Sequence, residues 1–419
     1  MKYTSTRGAV SGVGFEDVLF AGFAADNGLY MPEQIPKLDE QTLRSWSSLS
    51  YKELVKAVCS LFIPSELIPR NDLHGLIDKA LLRFRHQDII PITRLKNGLN
   101  VLEMWHGPTY AFKDLAMSCV GQFLDYFLKK NNQHVNILVA TSGDTGSSAI
   151  ASVLGNSNID ILVLYPLGRC TKIQELQMIT VFEDNVHVLA GRLSAFDGIQ
   201  EYHIHQGEAE VNKTAGCIAQ KMGLPIQLVA AVNKNDIIHR AIQHGDFSLG
   251  DTEITLASAM DIQEPYNMER ILWLLADGDC ATIKEMMEEF NTKKQIRIPE
   301  ELHKKLLEKM TSCSVKDEDI LRTIRRCWEE NHYQLCPHSA VGVTYHYQQA
   351  DTNQNNGPRC CLAPASAAKF PEVILQANLT PEPPADILDL MKKNTSYLHV
   401  TKEADWEEVL REKIEIIDS

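Results

Sequence analysis

The feature that most constrains this chain is the run Val135-Asn136-Ile137-Leu138-Val139-Ala140, which passes without a break into Thr141-Ser142-Gly143-Asp144-Thr145-Gly146-Ser147-Ser148. The aliphatic run reads as a buried strand, and the small, glycine-spaced residues behind it as a turn into a helix starting near Ser147. A buried strand feeding directly into a helix belongs to a parallel, doubly wound sheet. The same alternation recurs. Apolar runs lie at Ile159 to Tyr165 (closed by Pro166), Val186 to Leu189 and Pro225 to Val232, and helical spacing lies at Asp114 to Lys130 and Lys172 to Thr180. The turn after Ala140 is also an anion-site candidate. Free N–H groups and a helix dipole at the carboxyl end of a strand attract carboxylate or phosphate. A plain strand-to-helix turn with a capped helix accounts for the same glycines.

With 419 residues the chain is long enough for several domains. Residues 1–90 read as a looped and helical N-terminal region, 91–188 as an α/β region, 214–380 as the remainder of the main fold, and 381–419 as a C-terminal extension with a strand at Tyr397 to Thr401 and a helix at Trp406 to Ile416. Hydrophobic residues make up 44% and charged residues 23%, which excludes a disordered or collagen-like chain. The net charge of −14 offers no general positive field, so neither nucleic acid nor an anionic membrane is expected as a partner. No apolar run is long enough to span a bilayer, and the N-terminus lacks a secretory apolar core, so a cytoplasmic location is expected. The ten cysteines show no C-x-x-C pair, which leaves zinc spacing absent and free thiols expected. His203 and His205, with Glu201 and Glu208, could share a face, but nothing else in the sequence supports a metal site.

A second segment carries chemistry: His106-Gly107-Pro108-Thr109-Tyr110-Ala111-Phe112-Lys113-Asp114. Lys113 stands where an apolar helix begins, behind a Gly-Pro turn. A lysine placed in an apolar pocket near a helix N-terminus would have its ammonium form disfavoured, and a neutral amine attacks aldehydes to form a Schiff base. Taken alone, the segment reads more readily as a solvated lysine beside a helix-starting aspartate.

Together, the His-Gly-Pro-Thr-x-Ala-Phe-Lys-Asp segment and the later Thr-Ser-Gly-Asp-Thr-Gly loop resemble threonine synthase, a fold-type II (tryptophan synthase β-like) pyridoxal-phosphate enzyme. The resemblance extends through Tyr3-x-Ser5-Thr6-Arg7-Gly8 and Asp26-Asn27-Gly28-Leu29-Tyr30-Met31-Pro32. It continues through Asn233-x-Asn235-Asp236-Ile237, Ser258-Ala259-Met260-Asp261-Ile262 and Pro265-Tyr266-Asn267-Met268-Glu269-Arg270. Pro337-His338-Ser339-Ala340-Val341-Gly342 and Ala367-Ala368-Lys369-Phe370-Pro371 complete it. It covers about residues 1–188 and 214–380. The resemblance implies that Lys113 binds pyridoxal 5'-phosphate (PLP) covalently and that Asp144 lies near the ring. It implies that Ser142, Gly143, Thr145 and Gly146, with His106 and Thr109, bind the substrate. The implied reaction is elimination of phosphate from O-phosphothreonine, O-phosphoserine or O-phosphohomoserine, giving a 2-oxo acid (2-oxobutyrate from phosphothreonine), ammonia and phosphate.

Two departures accompany the resemblance. The family's threonine, expected to hydrogen-bond the pyridine nitrogen, falls on Pro364, and Ser366 is expected to substitute for it. The family's glycine-rich phosphate cup, expected before the helix at Thr214 to Met222, has no counterpart, because 189–213 lacks both a buried-strand run and a glycine cluster. An alternatively spliced form lacking one central strand and loop is therefore expected, either a lyase with weakened cofactor binding or a non-enzymatic signalling or secreted protein.

Overall fold

Four parallel strands, Val135–Ala140 (β1), Ile159–Pro166 (β2), Val186–Gly191 (β3) and Leu398–Val400 (β4), hydrogen-bond in the order β4-β3-β2-β1. The register pairs Val135 with Ile159 and Ile161 with Val186. This is the computed structural model of the chain, and it describes residues 1–141, 143–191, 208–352, 357–401 and 404–417, with the backbone alone at 208–211. The chain divides into two compact units. One comprises Met1–Leu73, Arg94–Val101 and His205–Leu362; the other comprises His74–Thr93, Leu102–Ile204 and Ala363–Ser419.

The parallel sheet belongs to the second unit. The helices Lys113–Asn131 (α1), Asp144–Val153 (α2) and Lys172–Ile179 (α3) accompany it, as the strand–helix alternation requires. Two boundaries differ from the sequence reading in ways that matter for chemistry: α1 starts at Lys113 itself, and α2 starts at Asp144 rather than near Ser147. Gly143 caps α2 with φ +142°, a conformation L side chains rarely adopt. The burial of β1 also differs. Its side chains are mostly half-buried and Leu138 is exposed, because β1 is the edge strand while β2 lies inside the sheet. An aliphatic run alone does not distinguish edge from centre.

The C-terminal residues are part of this sheet. Leu398–Val400 pairs in parallel with Leu189, Ala190 and Gly191. The helix Trp406–Ile417 then covers the sheet, with Trp406 and Leu410 packed on Leu162, Leu164, Leu189 and Val400.

In the first unit, an apolar core gathers Ile237, Ala241, Phe247, Met268, Ile271, Leu272, Phe290, Leu306 and Met310. A short parallel pair, Leu228–Val232 with Met310–Ser314, carries part of it. Two of the sequence motifs meet here in one polar knot. Asp261 accepts hydrogen bonds from Asn233 Nδ2 (2.7 Å), Asn235 Nδ2 (3.0 Å), Thr255 Oγ1 (2.7 Å) and the Thr255 N–H (3.0 Å). Two more meet where Glu269 accepts both Arg7 Nε (3.1 Å) and Arg7 Nη2 (2.9 Å). No helix among the described residues is long and apolar enough to cross a membrane.

Truncating Trp406 to alanine removes the largest side chain from the cluster between the C-terminal helix and the sheet. We expect a loss of roughly 3–5 kcal/mol in the stability of the second unit, read as a shift of its urea unfolding midpoint. An unchanged midpoint contradicts the integral role of the C-terminal segment.

Candidate active site

The segment from His106 to Lys113 is held in place before any ligand is considered. Its backbone is zipped to residues 364–366: the Phe112 N–H donates to Pro364 O (2.7 Å) and the Ser366 N–H to Tyr110 O (3.1 Å). Pro364, which lacks the side-chain donor expected there, thus serves through its carbonyl. Asp114, buried at the start of α1, anchors the other side. It accepts from the Thr109 N–H (2.8 Å) and Thr109 Oγ1 (2.7 Å). Burial raises the Asp114 carboxyl above its ordinary value, against the opposing effect of these bonds. A side chain at position 107 would drive its Cβ to 2.4 Å from Asp114 Oδ2, so the Gly-Pro turn needs glycine for this close approach.

Lys113 emerges from this frame as a buried amine on the first residue of α1, with Nζ 4.8 Å from the centre of the Phe112 ring. The neighbouring strand-to-helix turn brings Asp144 into the same interior. Lys369 Nζ, fully buried, pairs with Asp144 Oδ1 at 2.6 Å and donates to Thr109 O at 2.8 Å. Gln174 Nε2 also donates to Asp144 Oδ1 (2.8 Å), while Asp144 Oδ2 is buried with no partner among the described residues. Burial alone would push the Asp144 carboxyl up. The charge and hydrogen bond of Lys369, the charge of Lys113 and the Gln174 amide together hold it below the ordinary carboxylate range. Lys113, Lys369 and Asp144 thus meet in a buried interior, with the Asp114 carboxylate close by through Thr109. Lys369 was quoted in the sequence only as part of a motif. The signal that it belongs here is a long cationic side chain in an otherwise apolar stretch, which must find a partner if it is buried.

The remaining expected residues sort into two groups. Ser366 is buried, and its Oγ accepts the Ala368 N–H (3.3 Å), which leaves its hydroxyl proton for another acceptor. Thr145 lies half-buried in the first turn of α2. The N–H groups of Gly143 and Gly146, expected to meet the substrate, both donate to Thr141 Oγ1 at 3.0 Å in this structure. Thr109 is likewise consumed, its hydroxyl lying between Asp114 and Ser148 (2.9 Å) and its carbonyl accepting from Lys369 and Gln177. His106 pairs with Glu103 at 2.7 Å and stacks on Trp105, so it orders the loop. These contacts share one cause: a turn rich in polar side chains satisfies its own backbone and side-chain groups. Ser142 lies outside the described residues, as do His203 and His205. Among the described residues no group of three or more His, Cys, Asp or Glu side chains could hold a metal ion. All ten cysteines are free thiols, and burial pushes Cys361 up to about 12.

Residues 2–81 match the family model "Threonine synthase N terminus", and residues 339–411 match "Threonine synthase, C-terminal". Over its whole length the chain is 61% identical to Threonine synthase-like 2 of Xenopus laevis, covering 99% of that protein. It is 32% identical to Threonine synthase of Schizosaccharomyces pombe, with 89% of this chain and 88% of that protein covered. The chain belongs to the threonine synthase family. The threonine synthase fold is shared as well. Yeast threonine synthase superposes with a TM-score of 0.90 at 29% identity, covering 99% of this chain and 98% of that one. PLP-bound threonine synthase from Brucella melitensis superposes with a TM-score of 0.89 at 30% identity, with the same coverage. The alignment to the Xenopus protein runs over 467 positions against 419 residues here. At least 48 positions of that threonine synthase-like relative, the difference between the two, therefore have no counterpart in this chain.

The Lys369–Asp144 pair generates a stability prediction. Lys369→Met leaves a buried carboxylate without its cation, and we expect a loss of roughly 3–5 kcal/mol. The double variant Lys369→Met/Asp144→Leu should recover most of it. Because Asp144 is more acidic in the folded protein, the contribution of its charge is fully present above the ordinary aspartate value of about 3.9 and is lost as pH falls from there through the lower folded value. Urea unfolding of wild type and Asp144→Asn across this range checks the sign. A difference that grows on acidification contradicts it.

Proposed function

We propose that this chain is a PLP-dependent lyase that removes phosphate from a small O-phosphorylated amino acid. O-phosphothreonine, O-phosphoserine and O-phosphohomoserine are the candidates. The observation that carries this reading is the buried amine of Lys113 at the start of α1, beside Asp144, whose Oδ2 has no partner among the described residues. A buried amine, an orphaned carboxylate oxygen and a buried hydroxyl fit an aromatic aldehyde that carries polar ring atoms. Lys113 would hold the cofactor through its Nζ, and Asp144 and Ser366 would hold the polar atoms of the ring. When bound, PLP supplies an electron sink for the pair left as a Cα–H bond breaks.

The rest follows from the chain's own groups. Thr145, at the positive end of α2, would bind the substrate carboxylate. Lys113 Nζ, once free of the cofactor, would take the proton from Cα. From O-phosphothreonine or O-phosphoserine, phosphate then leaves Cβ with the electrons of its C–O bond; from O-phosphohomoserine, a Cβ proton would also have to be removed before phosphate leaves Cγ. Water hydrolyses the unsaturated amine released, giving a 2-oxo acid and ammonia. The family membership and the PLP-bound Brucella melitensis relative support the cofactor assignment.

We assign the length deficit against the relatives to the region of 189–213, where the sequence lacks a phosphate cup. The strand β3 ends at Gly191, and 192–207 lies outside the described residues. A phosphate dianion held by fewer charge-assisted bonds loses roughly 1.5–3 kcal/mol for each, about tenfold or more in affinity per bond. This chain should therefore bind PLP weakly.

Titrating PLP into the purified chain while recording visible absorbance and phosphate release from the three substrates tests both statements. We expect absorbance and turnover only at high PLP, and Lys113→Ala should abolish both while the chain still folds cooperatively. Tight, stoichiometric binding overturns the assignment of the deficit to the phosphate anchor. Turnover retained in Lys113→Ala overturns the lyase reading.

A further inference from the structure

The loop that delivers Lys113 contains one strained residue. Tyr110 has φ +61°, in the left-handed region that a residue with an aromatic side chain occupies only when its surroundings impose it. The hydrogen bonds to 364–366 hold the peptides around it, but they do not grip its side chain. That grip comes from two other stretches of the chain.

Tyr110 Oη donates to Asp386 Oδ1 at 2.6 Å. Arg85 Nη2 pairs with the other oxygen, Asp386 Oδ2, at 2.8 Å, and the Arg85 guanidinium carbon lies 4.1 Å from the centre of the Tyr110 ring. Arg85 also donates to the carbonyl oxygens of Gly107 and Pro108, and its own N–H donates to His106 O at 2.9 Å. One cation thus covers the carbonyls of the turn, stacks on the strained ring and holds the carboxylate that holds the ring's hydroxyl. The ring itself is buried against Ile173, Ala368 and Ile387.

We propose that Arg85, Tyr110 and Asp386 form a clasp that positions Lys113 by imposing the left-handed turn at Tyr110 from which α1 begins. This rests on the lyase reading for its consequence, although the clasp itself is a statement about the loop. Asp386 comes from the helix Ala385–Leu390, so the C-terminal segment reaches the catalytic loop. The ion-pair side chains are 37% and 49% exposed, where such pairs add little to global stability. Their effect is therefore separable from folding. None of the three is a catalytic residue, because each acts through the backbone that carries Lys113.

The test compares the unmodified chain with Asp386→Asn, Arg85→Gln, Tyr110→Phe and Asp386→Glu. The first readout needs no cofactor: amide hydrogen exchange at residues 107–112, against β2 as an internal standard. The second is the rate at which PLP and borohydride label Lys113, together with kcat and KM. We expect faster exchange in the loop but not in β2 for Asp386→Asn and Arg85→Gln. Labelling and kcat should be roughly tenfold to a hundredfold slower, with KM little changed. Tyr110→Phe should give a smaller effect, and Asp386→Glu a partial rescue. Loop exchange and labelling equal to the unmodified chain overturn the clasp, as does a fall in melting temperature with labelling per folded molecule unchanged. A chain that never reacts with PLP contradicts the lyase reading instead, and loop exchange then decides the clasp.

Discussion

A lysine and an aspartate in direct contact, both buried, are the constraint around which this site is arranged. The Lys369–Asp144 contact of 2.6 Å sits in an interior where either ion alone would be costly. It joins the first turn of α2 to the segment 364–370, which also zips to the loop before Lys113. Those two pieces also frame Lys113. Removing either partner would strand a charge, so the sequence at both ends is tied to one geometry.

The remainder of the site is built to present Lys113. Thr109 and Asp114 close the turn on themselves, Gly107 permits the approach, and Pro364 and Ser366 zip the loop from outside. Polar groups that a first reading of the motif offers to a substrate are used by the protein to hold its own backbone. The groups proposed to meet a ligand are few: the Lys113 amine, the second oxygen of Asp144, the Ser366 hydroxyl and Thr145 in the first turn of α2. This economy is the usual condition for a preorganised site, in which few groups act and many orient them.

Much of this was legible in the sequence. The strand into the Thr141–Gly146 turn announced a parallel sheet, and the Ala-Phe-Lys-Asp segment announced a lysine at a helix start. The family followed from many short motifs in order. Three things were not legible, each for a physical reason. The edge position of β1 depends on strand order, which sequence periodicity does not encode. The partner of Asp144 is a lysine far along the chain, and long-range pairing leaves no local pattern. The occupied N–H groups of Gly143 and Gly146 depend on where one threonine hydroxyl points. Asp386 shows the same limit, since an aspartate in a short C-terminal helix carries no sign that it accepts a hydrogen bond from a tyrosine three residues before Lys113.

Because two buried lysines flank one aspartate, the central claim is that Lys113, and not Lys369, meets the cofactor aldehyde. Reduction of the PLP-treated chain with borohydride, followed by proteolysis and mass mapping of the adduct, decides this directly. The structure predicts a single adduct on Lys113, with Lys369 unmodified while its pair with Asp144 is intact. An adduct on Lys369, or none on either lysine at saturating PLP, would contradict the account.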